Sequence, residues 1–109
     1  MKASQKRKFG RTGLEVTAMG FGTAPIGNQF RAVPEQDVRD VIQHAWDAGL
    51  RYFDTAPMYG HGLSEHRLGE SLRKFPRDEY VLSTKVGRLL KPVPEGNLTS
   101  FFWVDMPPF

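Results

Sequence analysis

The stretch around residues 34–50 constrains the fold of this chain more than any other. Val38, Val41, Ile42, Ala45 and Trp46 recur at i, i+3, i+4, i+7 and i+8, which draws one apolar stripe along a helix. Pro34 brings a pre-set φ to the first position, and Glu35, Gln36 and Asp37 place acids where the helix dipole is positive. Gly49 closes the helix in the C′ role, with Leu50 placed to fold back on the last turn. Short apolar segments lie on both sides. Residues 18–23 form the first, and its glycines, Gly20 and Gly22, predict close approach by a neighbour or a ligand. Residues 51–55 form the second, stopped by Pro57. A second helix then starts at Ser64 as N-cap, with Leu63 and Leu68 as a hydrophobic staple and Leu68, Leu72 and Phe75 facing inward. Gly69 inside it predicts close packing. Residues 80–86 are the third strand. This alternation predicts βαβ crossovers and a parallel sheet whose short apolar strands are buried on both faces.

Residues 6–9 and 14–17 add a hairpin around Gly10 and Gly13. The whole is an α/β chain of 109 residues, well short of the roughly 250 that a closed (β/α)8 barrel needs. Three parallel strands leave two open edges. Beyond Gly87 the periodicity dissolves, and Phe101, Phe102, Trp103, Val104, Met106 and Phe109 crowd the end with nothing left to cover them. Residues 1–109 are therefore expected to be the front part of a longer protein.

Charge and composition exclude several function classes. The chain has no cysteine, which removes disulfide frameworks and thiolate chemistry. Its net charge is only +3, and the basic cluster Lys2, Lys6, Arg7, Lys8 and Arg11 leads into no recognition helix, so a solvated strand edge is expected and no nucleic-acid partner. No run approaches 18 apolar residues and the basic N-terminus leads into no apolar region, which predicts a cytoplasmic protein without a membrane partner.

Asp54 and Lys85 each stand at the carboxyl end of a predicted parallel strand, where α/β folds build their ligand crevices. Tyr59 follows in the loop over the same end. Together they suit proton transfer: a phenol with a pKa of about 10 is a poor acid at neutral pH unless its anion is stabilised. A lysine ammonium beside it lowers that pKa, and a carboxylate keeps the ammonium in place. Such a tyrosine can protonate a carbonyl oxygen as hydride reaches the carbon. Taken singly, the same residues also read as a loop aromatic, a loop-ordering carboxylate and a surface cation.

The run from Lys8 to Val16, then Met19-Gly20-Phe21-Gly22-Thr23, Gly49-Leu50-Arg51-Tyr52-Phe53-Asp54-Thr55-Ala56-Pro57-Met58-Tyr59-Gly60, Ser64-Glu65 and Leu68-Gly69 resemble the aldo-keto reductase superfamily. Residues 103–109 are similar to its bacterial aldose dehydrogenase branch, which includes L-fucose, D-threo-aldose and pyridoxal dehydrogenases. The resemblance implies the N-terminal part of a (β/α)8 TIM barrel, a leading hairpin that plugs the bottom, and NADP or NAD across the top. It implies an oxidoreductase interconverting an aldehyde or aldose with its alcohol or lactone. Tyr59, Asp54 and Lys85 match catalytic positions, Gly22, Thr23 and Asp54 match positions near the nicotinamide end, and Tyr59 and His61 border the substrate, a small carbonyl compound or sugar. The family's catalytic histidine has no counterpart, since His44, His61 and His66 all come too early. These 109 residues are accordingly expected to be inactive alone, and a non-catalytic binding or regulatory subunit is the alternative.

Two rival motifs fail. Gly20-Phe21-Gly22 begins a dinucleotide fingerprint, but Pro25 takes the third glycine's place and the helix starts only near Pro34. His61, Glu65 and His66 approach a zinc motif with one residue too many before the glutamate, so no metal is expected.

Overall fold

The structure is a computed structural model that describes residues 1–92; the aromatic tail from Phe101 and the branch resemblance over residues 103–109 lie outside the described residues. The hairpin pairs β1 (Lys6–Lys8) with β2 (Glu15–Thr17) antiparallel, Arg7 opposite Val16. Gly10 and Gly13 turn it at φ 57° and 80°. β1 is exposed throughout, as a solvated edge should be.

The larger sheet contains β3 (Phe21–Gly22), β4 (Tyr52–Asp54) and β5 (Val81–Ser83) in that order, all parallel. Helix α1 (Glu35–Asp47) connects β3 to β4, and α2 (Leu63–Leu72) connects β4 to β5. The predicted strand–helix alternation and strand direction are both observed. Each strand is shorter than its apolar run, with only two or three residues in the parallel ladder.

Val38, Ile42 and Ala45 bury the stripe of α1, while Val41 at its margin stays 41% exposed. Pro34 is the N-cap, one position before the helix. At the other end the Leu50 N–H donates to the Ala45 carbonyl and the Gly49 N–H to that of Trp46, with Gly49 at φ 92°. That is the paired bonding of a Schellman motif, and it delivers Leu50 into the core. Phe53 of β4, sealed from solvent, meets Val38, Ile42, Leu68 and Leu72 there. Trp46 stacks on Phe75 at 3.9 Å between centroids, with the Arg51 guanidinium 3.6 Å from its ring.

Four expectations need correction. Ser64 does not cap α2: Gly62 does, at φ 97°, and Ser64 sits inside the first turn, fully buried. Its hydroxyl is used for tertiary contacts instead. Leu63 consequently occupies the first helical position and cannot form a staple with Leu68. Gly69 does not mark close packing, since a Cβ there would meet nothing within 4 Å among the described residues. Burial on both faces fails for β5, whose Leu82 is 39% exposed although its register partner Phe53 is sealed. α1 and α2 cover Phe53, whereas Leu82, on the edge strand of the described sheet, is covered only in part.

The hairpin lies at the amino ends of the strands. Phe9 packs against Tyr52 at 6.4 Å, and the Arg51 N–H donates to the Thr17 hydroxyl. The hairpin therefore does not cover the carboxyl ends. No helix among the described residues is long and apolar enough to cross a membrane.

Candidate active site

Gly22, Asp54 and Ser83 stand side by side as the last residues of β3, β4 and β5. This row is where the chemistry collects. Asp54 Oδ2 accepts a hydrogen bond from Lys85 Nζ at 2.8 Å, and Oδ1 accepts one from Ser83 Oγ at 2.6 Å. Lys85 Nζ also donates to the Thr55 carbonyl at 3.0 Å. Ser83 has one proton and gives it to the carboxylate, so the Tyr52 hydroxyl, 3.1 Å from Ser83 Oγ, must be the donor of that contact. Tyr52 thus donates to Ser83 and Ser83 to Asp54, while Lys85 donates to the same carboxylate from its other oxygen. Burial pushes the Asp54 carboxyl up, but the hydrogen bonds from Lys85 and Ser83, with the Lys85 charge, outweigh it and hold the group below the usual value. The hydrogen bond to Asp54 holds the Lys85 ammonium above its usual value; partial burial opposes this, and the charges of Asp54 and, after it, Tyr59 support it.

The Tyr59 ring reaches the same place, its centroid 5.3 Å from Lys85 Nζ. It faces a cavity of about 490 Å³ lined by Gln29, Ala56, Pro57, Met58, Tyr59, Lys85, Val86 and Arg88, a size that admits a small organic molecule. Backbone geometry fixes the tyrosine. A Cβ on Gly60, at φ 67°, would lie 2.0 Å from the Gly27 carbonyl oxygen, and one on Gly27 would lie 2.7 Å from the Tyr59 carbonyl. Only two glycines let these strands of backbone touch. The Ser64 N–H then holds the Tyr59 carbonyl at 3.0 Å.

Of the residues expected at the site, Asp54, Lys85 and Tyr59 come together, and Gly22 lies beside Asp54. Gly22 is exposed, with open space where a Cβ would stand, whereas the other glycine of that run, Gly20, packs under the Tyr52 ring. Thr23 lies behind the row, fully buried. Its N–H and hydroxyl both donate to the Asp54 carbonyl, and its carbonyl and hydroxyl share the single Ser64 hydroxyl proton, which leaves Thr55 Oγ1 as the donor to Ser64. Thr23 therefore ties β3 to the end of β4 and to α2. His61 stands apart: it is not in the cavity wall, and its Nε2 lies 2.9 Å from the Lys91 carbonyl.

Sequence reasoning missed Ser83 and Tyr52. The signal was available, because a period of two puts Ser83 on the face of Lys85 and Tyr52 on that of Asp54. It also missed Gly27, Gln29 and the buried Arg67, whose roles depend on contacts far along the chain. Gln29 Oε1 is buried without a partner among the described residues.

Residues 18–102 match the model of the Aldo/keto reductase family. Among curated proteins, a pyridoxal 4-dehydrogenase of Microbacterium luteolum is 54% identical over 90 residues, covering 83% of this chain and 26% of the relative. A D-threo-aldose 1-dehydrogenase of a Pseudomonas species is 58% identical over 83 residues, covering 76% and 25%. Among solved structures, the holo form of an aldo-keto reductase from Bacillus halodurans superposes with a TM-score of 0.72 at 32% identity, covering 85% of this chain and 29% of that one. The chain spans about a quarter of the length of the curated relatives it matches. Such structural neighbours are (β/α)8 barrels, and the hairpin with three parallel strands is an open part of that fold, unclosed among the described residues.

Proposed function

The chain belongs to the aldo/keto reductase family, an oxidoreductase family, and from that premise we propose that the whole protein interconverts an aldehyde or aldose with its alcohol or lactone, using NADP or NAD. The observation that carries this reading is the meeting of Asp54, Lys85 and Tyr59 on one cavity at the strand ends.

Tyr59 is the acid and base in this proposal. It gives its hydroxyl proton to the carbonyl oxygen of an aldehyde, or takes the proton of an alcohol in the reverse direction. Lys85 stabilises the phenolate that results, and Asp54 holds the ammonium where it is needed. Ser83 and Tyr52 fix the carboxylate in turn. The open, exposed backbone at Gly22, in register with Asp54, leaves room there for the nicotinamide end of a cofactor. Gly22 and Asp54 would hold the nicotinamide end, with Thr23 supporting them from below. The cofactor supplies or removes hydride when bound.

The proposed substrate is a small carbonyl compound or sugar, on the strength of the similarity to proteins named as aldose and pyridoxal dehydrogenases. The 109 residues alone are proposed to be inactive, because the described residues bring no histidine to the site. Assay of the whole protein with NAD(P)H and short aldehydes, and with NAD(P)+ and aldoses, tests the reading. Turnover in either direction supports it. Tight cofactor binding without turnover of any carbonyl compound would instead favour the regulatory-subunit alternative.

A further inference from the structure

We infer that Arg67 is a positioning residue that acts through Tyr59, an inference that rests on the acid/base role proposed for that phenol. Arg67 projects from α2 and is only 7% exposed, which is unusual for an arginine and demands partners. It has three. Nε donates to Glu35 Oε1 at 2.8 Å, and Nη1 donates to the Ile26 carbonyl at 2.9 Å and to Asn28 Oδ1 at 3.0 Å. Two of these acceptors flank Gly27. That glycine forms the surface on which the Tyr59–Gly60 backbone rests, too close for a Cβ on either side.

Arg67 therefore clamps the seat of the catalytic loop from behind. Asn28 depends on the same clamp: it holds a left-handed φ of 60°, and its Oδ1 accepts from both Arg67 and the Val33 N–H. Without the guanidinium, the Ile26 carbonyl and the Asn28 side chain each lose a buried donor, and the turn from Ala24 to Gly27 is free to shift. A shift there moves the Tyr59 carbonyl directly. A lysine would keep the charge but not the fork that reaches both acceptors from one side and Glu35 from the other.

The test is a double-mutant cycle in the whole protein, measuring turnover of NAD(P)H with a short aldehyde for the parent, Arg67→Lys, Tyr59→Phe and the pair. Acting through Tyr59 predicts a kcat at least about 10-fold lower in Arg67→Lys, since small misplacements near reacting atoms cost up to about 100-fold, with the KM for cofactor little changed. It predicts less than about a 2-fold further loss once Tyr59 is already Phe. Equal losses in both backgrounds would overturn the inference, because a smaller folded fraction scales every residual rate alike. Where Arg67→Lys folds poorly, Arg67→Met serves as the second variant. A labelled Tyr59 ring gives an independent readout: its NMR resonance should move in Arg67→Lys, and an unmoved resonance would also overturn the inference. If the parent protein turns over no carbonyl compound, the acid/base reading fails by itself, and the ring resonance still decides whether Arg67 places Tyr59.

Discussion

At the scale of single residues, the Asp54–Lys85 pair matters for charge placement rather than for stability. Its side chains are 38% and 50% exposed, so water screens the attraction, and such pairs contribute about 0 to 1 kcal/mol. Asp54 has a lowered pKa in the fold, so its contribution exists above the ordinary carboxylate value and disappears as pH falls through the lowered one. Lys85 has a raised pKa, so its contribution is complete below the ordinary value of 10.5 and disappears as pH rises through the higher one. The pair is intact throughout the neutral range. Lys85→Met should therefore change urea-unfolding stability at pH 7 by no more than about 1 kcal/mol. It should lower turnover far more, because the site loses the cation beside the reacting phenol oxygen. Turnover equal to the parent's would remove Lys85 from that role.

At the scale of elements, two glycines make opposite predictions. Gly60→Ala puts a Cβ into the Gly27 carbonyl at a positive φ, which should destabilise the protein by about 1 to 3 kcal/mol and reduce turnover with it. Gly69→Ala meets open space within α2 and removes a helix-weakening residue, so thermal unfolding should show a gain of up to about 1 kcal/mol. The elements themselves were legible wherever local physics decides them. The stripe of α1 and the Gly49–Leu50 ending depend on residues a few positions apart, and both are observed. Ser64 shows where that legibility stops. A serine before a glutamate looks the same whether its hydroxyl caps a helix or joins Thr23 and Thr55 in the interior, and only the folded chain brings those threonines to it. Gly27 and Gly60 likewise carry no local sign that they touch. Asp54 could be placed in advance because a strand's end fixes where its last side chain stands; Lys85, expected at the end of a longer strand, lies two residues past β5 and reaches Asp54 through its long side chain.

At the scale of the molecule, the described residues form an open sheet with one finished side. Leu82, Val86 and Leu89 are exposed by 39%, 96% and 62%, and among the described residues β3 and β5 each pair on one edge only. Such surfaces favour association. The 109-residue polypeptide alone is expected to show no oxidation of NAD(P)H with aldehydes and to self-associate in sedimentation experiments. Robust turnover by it would contradict the proposal that the site needs more of the barrel. If the phenol beside the carboxylate-anchored ammonium transfers the proton, kcat of the whole protein carrying Tyr59→Phe should fall by about 10² to 10⁴ with cofactor affinity nearly unchanged, as for the loss of a general acid. Turnover equal to the parent's would take Tyr59 out of the reaction.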